Sequence, residues 1–404
     1  MPSPLPAGDP APTDGALGDG ALAELGRRDF GLYVHVPFCA TRCGYCDFNT
    51  YTAAEVGNGS RAAYADAAVA EVVLARRVLG DADLPVSTVF FGGGTPSVLP
   101  AADLGRILAV IDAEFGLEPG AEVTTEANPE SVDAAYLDQL AGQGFTRVSF
   151  GMQSSRPHVL AVLDRRHTPG RPERCVQWAR AAGFEQVSLD LIYGAPGESL
   201  VDWRGSLQAA VAAGPDHVSA YALVVEDGTR LARQVARGEL TTPDDDDLAD
   251  KYVLADDILA AAGYRWYEVS NWARPGAACR HNLGYWRGAH WWGVGPGAHS
   301  HVAGTRWWNV RHPTAYAARL AAGSSPAAGR EVLTAQDRRV ERVLLELRLA
   351  EGLPLDALAA VGRRAAARAV EDGLLQQTAY GQGRAALTAR GRLLADAVVR
   401  DLLD

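Results

Sequence analysis

A chain of 404 residues, 48% hydrophobic and 22% charged, has the composition of a globular protein with one large domain and room for a small one. The net charge of −11 argues against a general nucleic-acid binder, which needs a basic face. Five cysteines, three of them in one short stretch, do not form a disulfide framework and fit a reducing, cytoplasmic setting.

Residues 1–30, rich in Pro, Gly, Ala and Asp at the start and lacking a basic, apolar targeting signal, read as a disordered leader. From 31 to about 240, β-rich runs alternate with helical stretches. The predicted strands are Leu32–Val36, Val86–Phe91, Glu122–Glu126, Arg147–Gly151, Gln186–Ile192 and His217–Leu223. Helices are predicted between them at Arg61–Leu79, Ala101–Phe115, Val132–Ala141, Pro172–Ala182 and Val201–Ala213. Six such units predict an α/β fold, a partial (β/α)6 TIM-like barrel, with its chemistry at the C-terminal ends of the strands. Residues 241–330 read as an extension, with a helix at Leu248–Ala262, a strand at Tyr264–Val269 and a Gly/Trp/His-rich stretch from Asn271 to Trp308. Residues 331–404 have the element order of a small winged-helix-like α+β domain. Eleven basic and eleven acidic residues there give no electropositive footprint, so docking is expected of it and not DNA binding. No apolar run approaches the roughly 18 residues needed to span a bilayer.

The most informative segment is Cys39-Ala-Thr-Arg-Cys43-Gly-Tyr-Cys46, behind the first strand. Three thiolates on one loop suit iron–sulfur clusters, zinc or Cu(I). Structural zinc takes four closed ligands, and neither Cys175 nor Cys279 lies near in sequence; Cys175 reads as packing, and Cys279 as a small core residue or a thiolate ligand. A [4Fe–4S] cluster normally takes four cysteines, so three predict one iron left for a non-protein ligand. Gly92-Gly93-Gly94-Thr95-Pro96 ends the second strand, where bare glycine admits a close ligand or a tight turn. Glu126 ends the third strand, Gln153 the fourth and Asp190 the fifth, with Arg165 twelve residues after Gln153.

Tyr33-Val-His-Val-Pro-Phe-Cys39-x3-Cys43-x2-Cys46-Asp-Phe resembles the opening of the radical S-adenosylmethionine (SAM) enzymes. More narrowly, it resembles the branch that holds the oxygen-independent coproporphyrinogen III oxidases and the haem chaperones. The resemblance implies that Cys39, Cys43 and Cys46 hold a [4Fe–4S] cluster whose open iron chelates SAM, and that an electron from the cluster cleaves the sulfonium bond. It implies SAM contacts at Tyr33, Gly94, Pro96 and Glu126. By position, Tyr45 and Thr95 correspond to a second SAM, and Gln153, Arg165, Asp190 and Ala222 to the site lining.

Two features separate the branches. The oxidases carry another cysteine two residues after the third ligand, where this chain has Phe48. His281-Asn282-Leu283-Gly284-Tyr285-Trp286 matches the H-N-x-x-Y-W motif that marks the haem-chaperone branch. Imidazole is a good axial ligand for haem iron, so His281 is the haem-contact candidate, with Asn282 to orient it and Tyr285 and Trp286 as a flat apolar surface. The resemblance therefore implies a haem-binding carrier that serves acceptor haemoproteins such as respiratory enzymes, through transient contact where these are membrane-bound. A radical SAM coproporphyrinogen oxidase is the alternative.

Overall fold

The computed structural model describes residues 8–403. Six parallel strands stand in chain order: β1 (Phe30–Val36), β2 (Val86–Gly93), β3 (Leu117–Ala127), β4 (Arg147–Gln153), β5 (Gln186–Tyr193) and β6 (His217–Ala222). Each is joined to the next through helix, giving the partial (β/α)6 barrel that the alternation predicts. Strand residues facing the helices are apolar and buried, among them Leu32, Val34, Val89, Phe91, Val148 and Phe150. Their neighbours in alternation face the lumen and carry the polar groups.

Residues 241–330 do not stand apart from the barrel. β7 (Arg265–Glu268) and β8 (Asn271–Ala273) extend the β6 edge antiparallel. β9 (His290–Val294) pairs parallel with β1, and β10 (His299–Val302), β11 (Thr305–Asn309) and β12 (Ala327–Val332) continue outward, giving a twelve-stranded sheet. Ala273 pairs with His217, the first residue of β6, and His290 with Phe30, the first residue of β1. The chain between them therefore crosses beneath the N-terminal ends of the barrel strands and closes the floor. The helix Arg280–Trp286, which carries the H-N-x-x-Y-W motif, lies on this crossing.

The leader differs from expectation. Residues 1–7 lie outside the described residues, but from residue 8 onward the chain packs on the sheet. Asp9 and Arg330 exchange backbone hydrogen bonds of 2.9 Å, Ser325 donates to the Thr13 carbonyl at 2.7 Å, and Asp19–Leu22 is a short helix. Pairing with the exposed backbone of β12 supplies what the composition did not. Residues from 335 onward have their own core around Val343, Leu347, Ala366, Val398 and Leu402. Among the described residues no helix is long and apolar enough to cross a membrane.

Candidate functional site

The cysteine loop leaves the C-terminal end of β1 and is tied to the end of β2. Gly94 N–H donates to Val36 O at 2.8 Å and Thr95 N–H to Phe38 O at 2.8 Å, while Tyr51 N–H donates to Pro37 O at 2.7 Å. Cys39, Cys43 and Cys46 are free and half-buried on it. Thr95 Oγ1 donates to Cys39 Sγ at 3.7 Å, and Arg165 Nη1 to Cys43 Sγ at 3.5 Å. Burial pushes the Cys39 thiol up and the Cys46 thiol to about 11, so metal binding must displace protons. Among the described residues no three His, Cys, Asp or Glu groups converge on a point that one ion would fill. Three free thiols on one loop, with Thr95 and Arg165 donating to two of the sulfurs, are soft donors that fit an iron–sulfur cluster.

Beside the loop opens a cavity of about 490 Å³, a size suited to a small-molecule ligand. Its walls are the inward faces of the barrel strands. Tyr33 and Phe90 stack at 6.3 Å between ring centres on one wall. Glu126 Oε2 accepts the Gly93 N–H at 3.1 Å, and both Asp190 oxygens accept from Ser149 Oγ, at 2.9 and 2.8 Å. A register shift between Gly151 and Gln153 bulges β4, and Gln153 takes φ of +64°, a left-handed conformation that a non-glycine residue holds at a cost. Arg165 Nη2 donates to Gly151 O at 2.8 Å while its buried Nε has no hydrogen-bond partner among the described residues. Tyr45, Thr95 and Ala222 also line the cavity, with Phe48, 60% exposed, on the rim. Pro96 does not line it. It is buried at the start of a 3-10 turn, Pro96–Val98, behind the glycine loop.

Burial, with repulsion from Asp190 second, raises the Glu126 carboxyl from 4.5 to about 8. The folded protein therefore binds a proton that the unfolded chain has lost across that window, and stability falls as pH rises through it. A cationic ligand reverses the preference. The melting temperature of the free protein is expected to fall between the ordinary carboxyl range and about pH 8, with a flatter slope in Glu126→Gln. A cation bound beside this carboxyl should therefore bind more tightly as pH rises through the same window. An unchanged slope in the variant would assign the titration elsewhere.

His281 lines the floor of the same cavity. Its ring is buried and both nitrogens are engaged, Nδ1 with Thr88 Oγ1 at 2.8 Å and Nε2 with Tyr285 OH at 2.9 Å. Phe90 stacks on it at 5.2 Å. Burial lowers its pKa to about 3, so it stays neutral. Ligation of iron would break one of these hydrogen bonds. Thr88 and Tyr285, not Asn282, orient the ring. Tyr285 lines the barrel cavity whereas Trp286 faces a different cleft, so the two do not share one flat surface.

Glu122, read only as the start of a strand, accepts the N–H groups of Arg280 at 2.9 Å and His281 at 3.0 Å and the Cys279 thiol at 3.3 Å. It caps the motif helix from inside the barrel. Arg147, 2% exposed, donates to Ala277 O at 3.1 Å and holds the crossing segment to β4. Both are charged residues at inward strand positions, the one signal the sequence offered.

A family model described as the radical SAM superfamily matches residues 33–210. The chain is 56% identical over 383 residues to the heme chaperone HemW of Mycobacterium tuberculosis, over 95% of this chain and 97% of that one. It is 36% identical over 338 residues to the heme chaperone HemW of Synechocystis sp., over 82% and 81%. Among solved structures, coproporphyrinogen III oxidase (HemN) from Escherichia coli superposes with a TM-score of 0.81 over 96% of this chain and 94% of that chain, at 22% identity, a likeness of fold. Membership of the superfamily implies SAM and a [4Fe–4S] cluster. The chain belongs to the HemW family of the radical SAM superfamily.

Proposed function

We propose that this protein is a haem carrier that binds haem and a SAM-ligated [4Fe–4S] cluster and passes haem to acceptor haemoproteins. The observation that carries the reading is 56% identity to a heme chaperone HemW over almost the full length of both chains. Phe48, in place of a further cysteine, supports it against the oxidase alternative.

In this reading Cys39, Cys43 and Cys46 hold the cluster and leave one iron to SAM, and the bound pair supplies one-electron cleavage chemistry at the sulfonium. Arg165 sets a guanidinium against Cys43 and donates to its sulfur. The end of β2 positions the loop, Glu126 offers a carboxylate to a cationic ligand, and Ser149 fixes Asp190 across the lumen. Tyr33 and Phe90 wall off water. Localisation is proposed as cytoplasmic, with respiratory enzymes among the acceptors and transient contact where these are membrane-bound. His281 enters as a positioning residue of the floor, not as the iron ligand.

Protein reconstituted anaerobically and titrated with haem should give a Soret shift that saturates. The same sample with SAM, reductant and coproporphyrinogen III should form no protoporphyrinogen IX at catalytic turnover. Turnover would establish the oxidase reading instead.

A further inference from the structure

Outside the barrel, a cleft of about 290 Å³ lies between the end of the motif helix, the β10–β11 turn, the N-terminal segment and the helix Ala335–Glu346. Three of its arginines have acidic partners. Arg338 pairs with Glu24 at 3.1 Å, Arg342 with Glu346 at 2.9 Å and Arg287 with Glu351 at 2.9 Å. Arg28 is different, since its Nη1 meets only the carbonyls of Arg287 and Gly288, at 2.6 and 3.0 Å. Arg339 has no ion pair among the described residues, and its Nε is buried with no hydrogen-bond partner. The third acid, Glu341, is bound to Arg306 outside the cleft. The cleft therefore keeps two uncompensated guanidinium charges in a chain of net charge −11.

His290 adds a directed donor. It is 2% exposed, and the Ala303 N–H donates to its Nδ1 at 3.2 Å. In a neutral imidazole that places the proton on Nε2. Among the described residues this buried Nε2–H has no hydrogen bond of good geometry, with the Glu24 backbone beside it as a weak partner. His301 is satisfied at both nitrogens, by Ala289 O at 3.1 Å and Gly304 N–H at 3.1 Å. A buried, poorly satisfied N–H and two guanidinium groups without an acidic partner among the described residues call for an anionic acceptor, and a carboxylate matches the guanidinium fork. The remaining wall, Trp286, Leu345 and Ala357, is apolar.

We propose that this cleft is a carboxylate-binding site, formed by Arg28, His290 and Arg339, that takes the propionate edge of haem with the ring against Trp286. The site rests on the haem-carrier reading for its ligand, though not for its carboxylate chemistry. Its volume sits at the lower end for ligand sites, so it holds an edge and does not enclose a macrocycle. The motif then serves haem through Trp286, while His281 secures the helix that presents it.

The test uses the full-length, cluster-reconstituted protein, titrated with ferric protoporphyrin IX and with its dimethyl ester and followed by the Soret band. Wild type should bind the diacid at least about tenfold more tightly than the diester. Arg339→Gln should weaken the diacid severalfold, and the Arg28→Gln/Arg339→Gln pair about tenfold or more, with the diester unaffected and cluster absorbance retained. Arg339→Lys should recover only part of the loss, because an ammonium keeps the charge and not the fork. Equal diacid binding in the double variant and wild type would overturn the site and leave the carrier reading intact. If wild type bound neither porphyrin, the carrier reading would fall, and calorimetry with citrate would judge the cleft alone. Citrate binding lost in the double variant supports a carboxylate site for a free polycarboxylate, and absence of citrate binding removes it.

Discussion

Gly94→Ala is expected to strip the cluster from the protein although all three cysteines remain. An added Cβ at Gly94 would lie 2.6 Å from Phe38 O and 3.0 Å from Phe38 N and C. All three are backbone atoms of the segment that leads into Cys39, so no rotamer relieves the clash. The hydrogen bonds from Gly94 N–H to Val36 O and from Thr95 N–H to Phe38 O are the tether between the glycine loop and the cysteine loop. Overpacking of this kind costs about 1–3 kcal/mol, and each tether bond lost adds about 1 kcal/mol. The loop relieves that cost by moving away from β2 and carrying Cys39 off its geometry. Iron and sulfide content after anaerobic reconstitution should fall severalfold, while far-ultraviolet circular dichroism stays that of the folded barrel. Full cluster content in a normally stable variant would show that the glycine is not required for packing.

His281→Ala should destabilise the protein by about 3 kcal/mol while leaving haem affinity in the folded fraction nearly unchanged. The substitution removes two buried hydrogen bonds, leaves the Thr88 and Tyr285 hydroxyls unpaired and opens a void beneath Phe90. Denaturant unfolding measures the first effect and haem titration below the transition measures the second. An axial ligand behaves the other way, with stability nearly unchanged and the Soret position altered. The two outcomes separate a floor residue from an iron ligand.

The barrel was legible because each β-run is short, apolar on alternate positions and followed by an Ala/Leu-rich helix. The placement of Cys39, Glu126, Gln153 and Asp190 followed from strand ends alone. Other features depend on contacts far apart in sequence. The segment Ala53–Ala62 is helical on either side of Gly57, whose φ of +70° interrupts it, and Thr52 and Glu55 form a capping box that starts it. β9, β10 and β12 carry glycine or histidine, and β9 becomes a strand by pairing onto β1 and the others by pairing outward in turn. The position of the motif helix was not readable, because crossing beneath the barrel depends on which edges β8 and β9 join. His281 next to two aromatics reads as a haem ligand in one dimension. In three dimensions Thr88 and Tyr285 use both its nitrogens.

The central claim is that the protein carries haem and gives it up. Haem-loaded, cluster-reconstituted protein mixed with an apo-haemoprotein of known spectrum measures this directly. The account predicts that the carrier Soret band decays as the holo-acceptor band appears with matching stoichiometry. A loaded protein that retains its haem in the presence of an acceptor competent to bind free haem would contradict it.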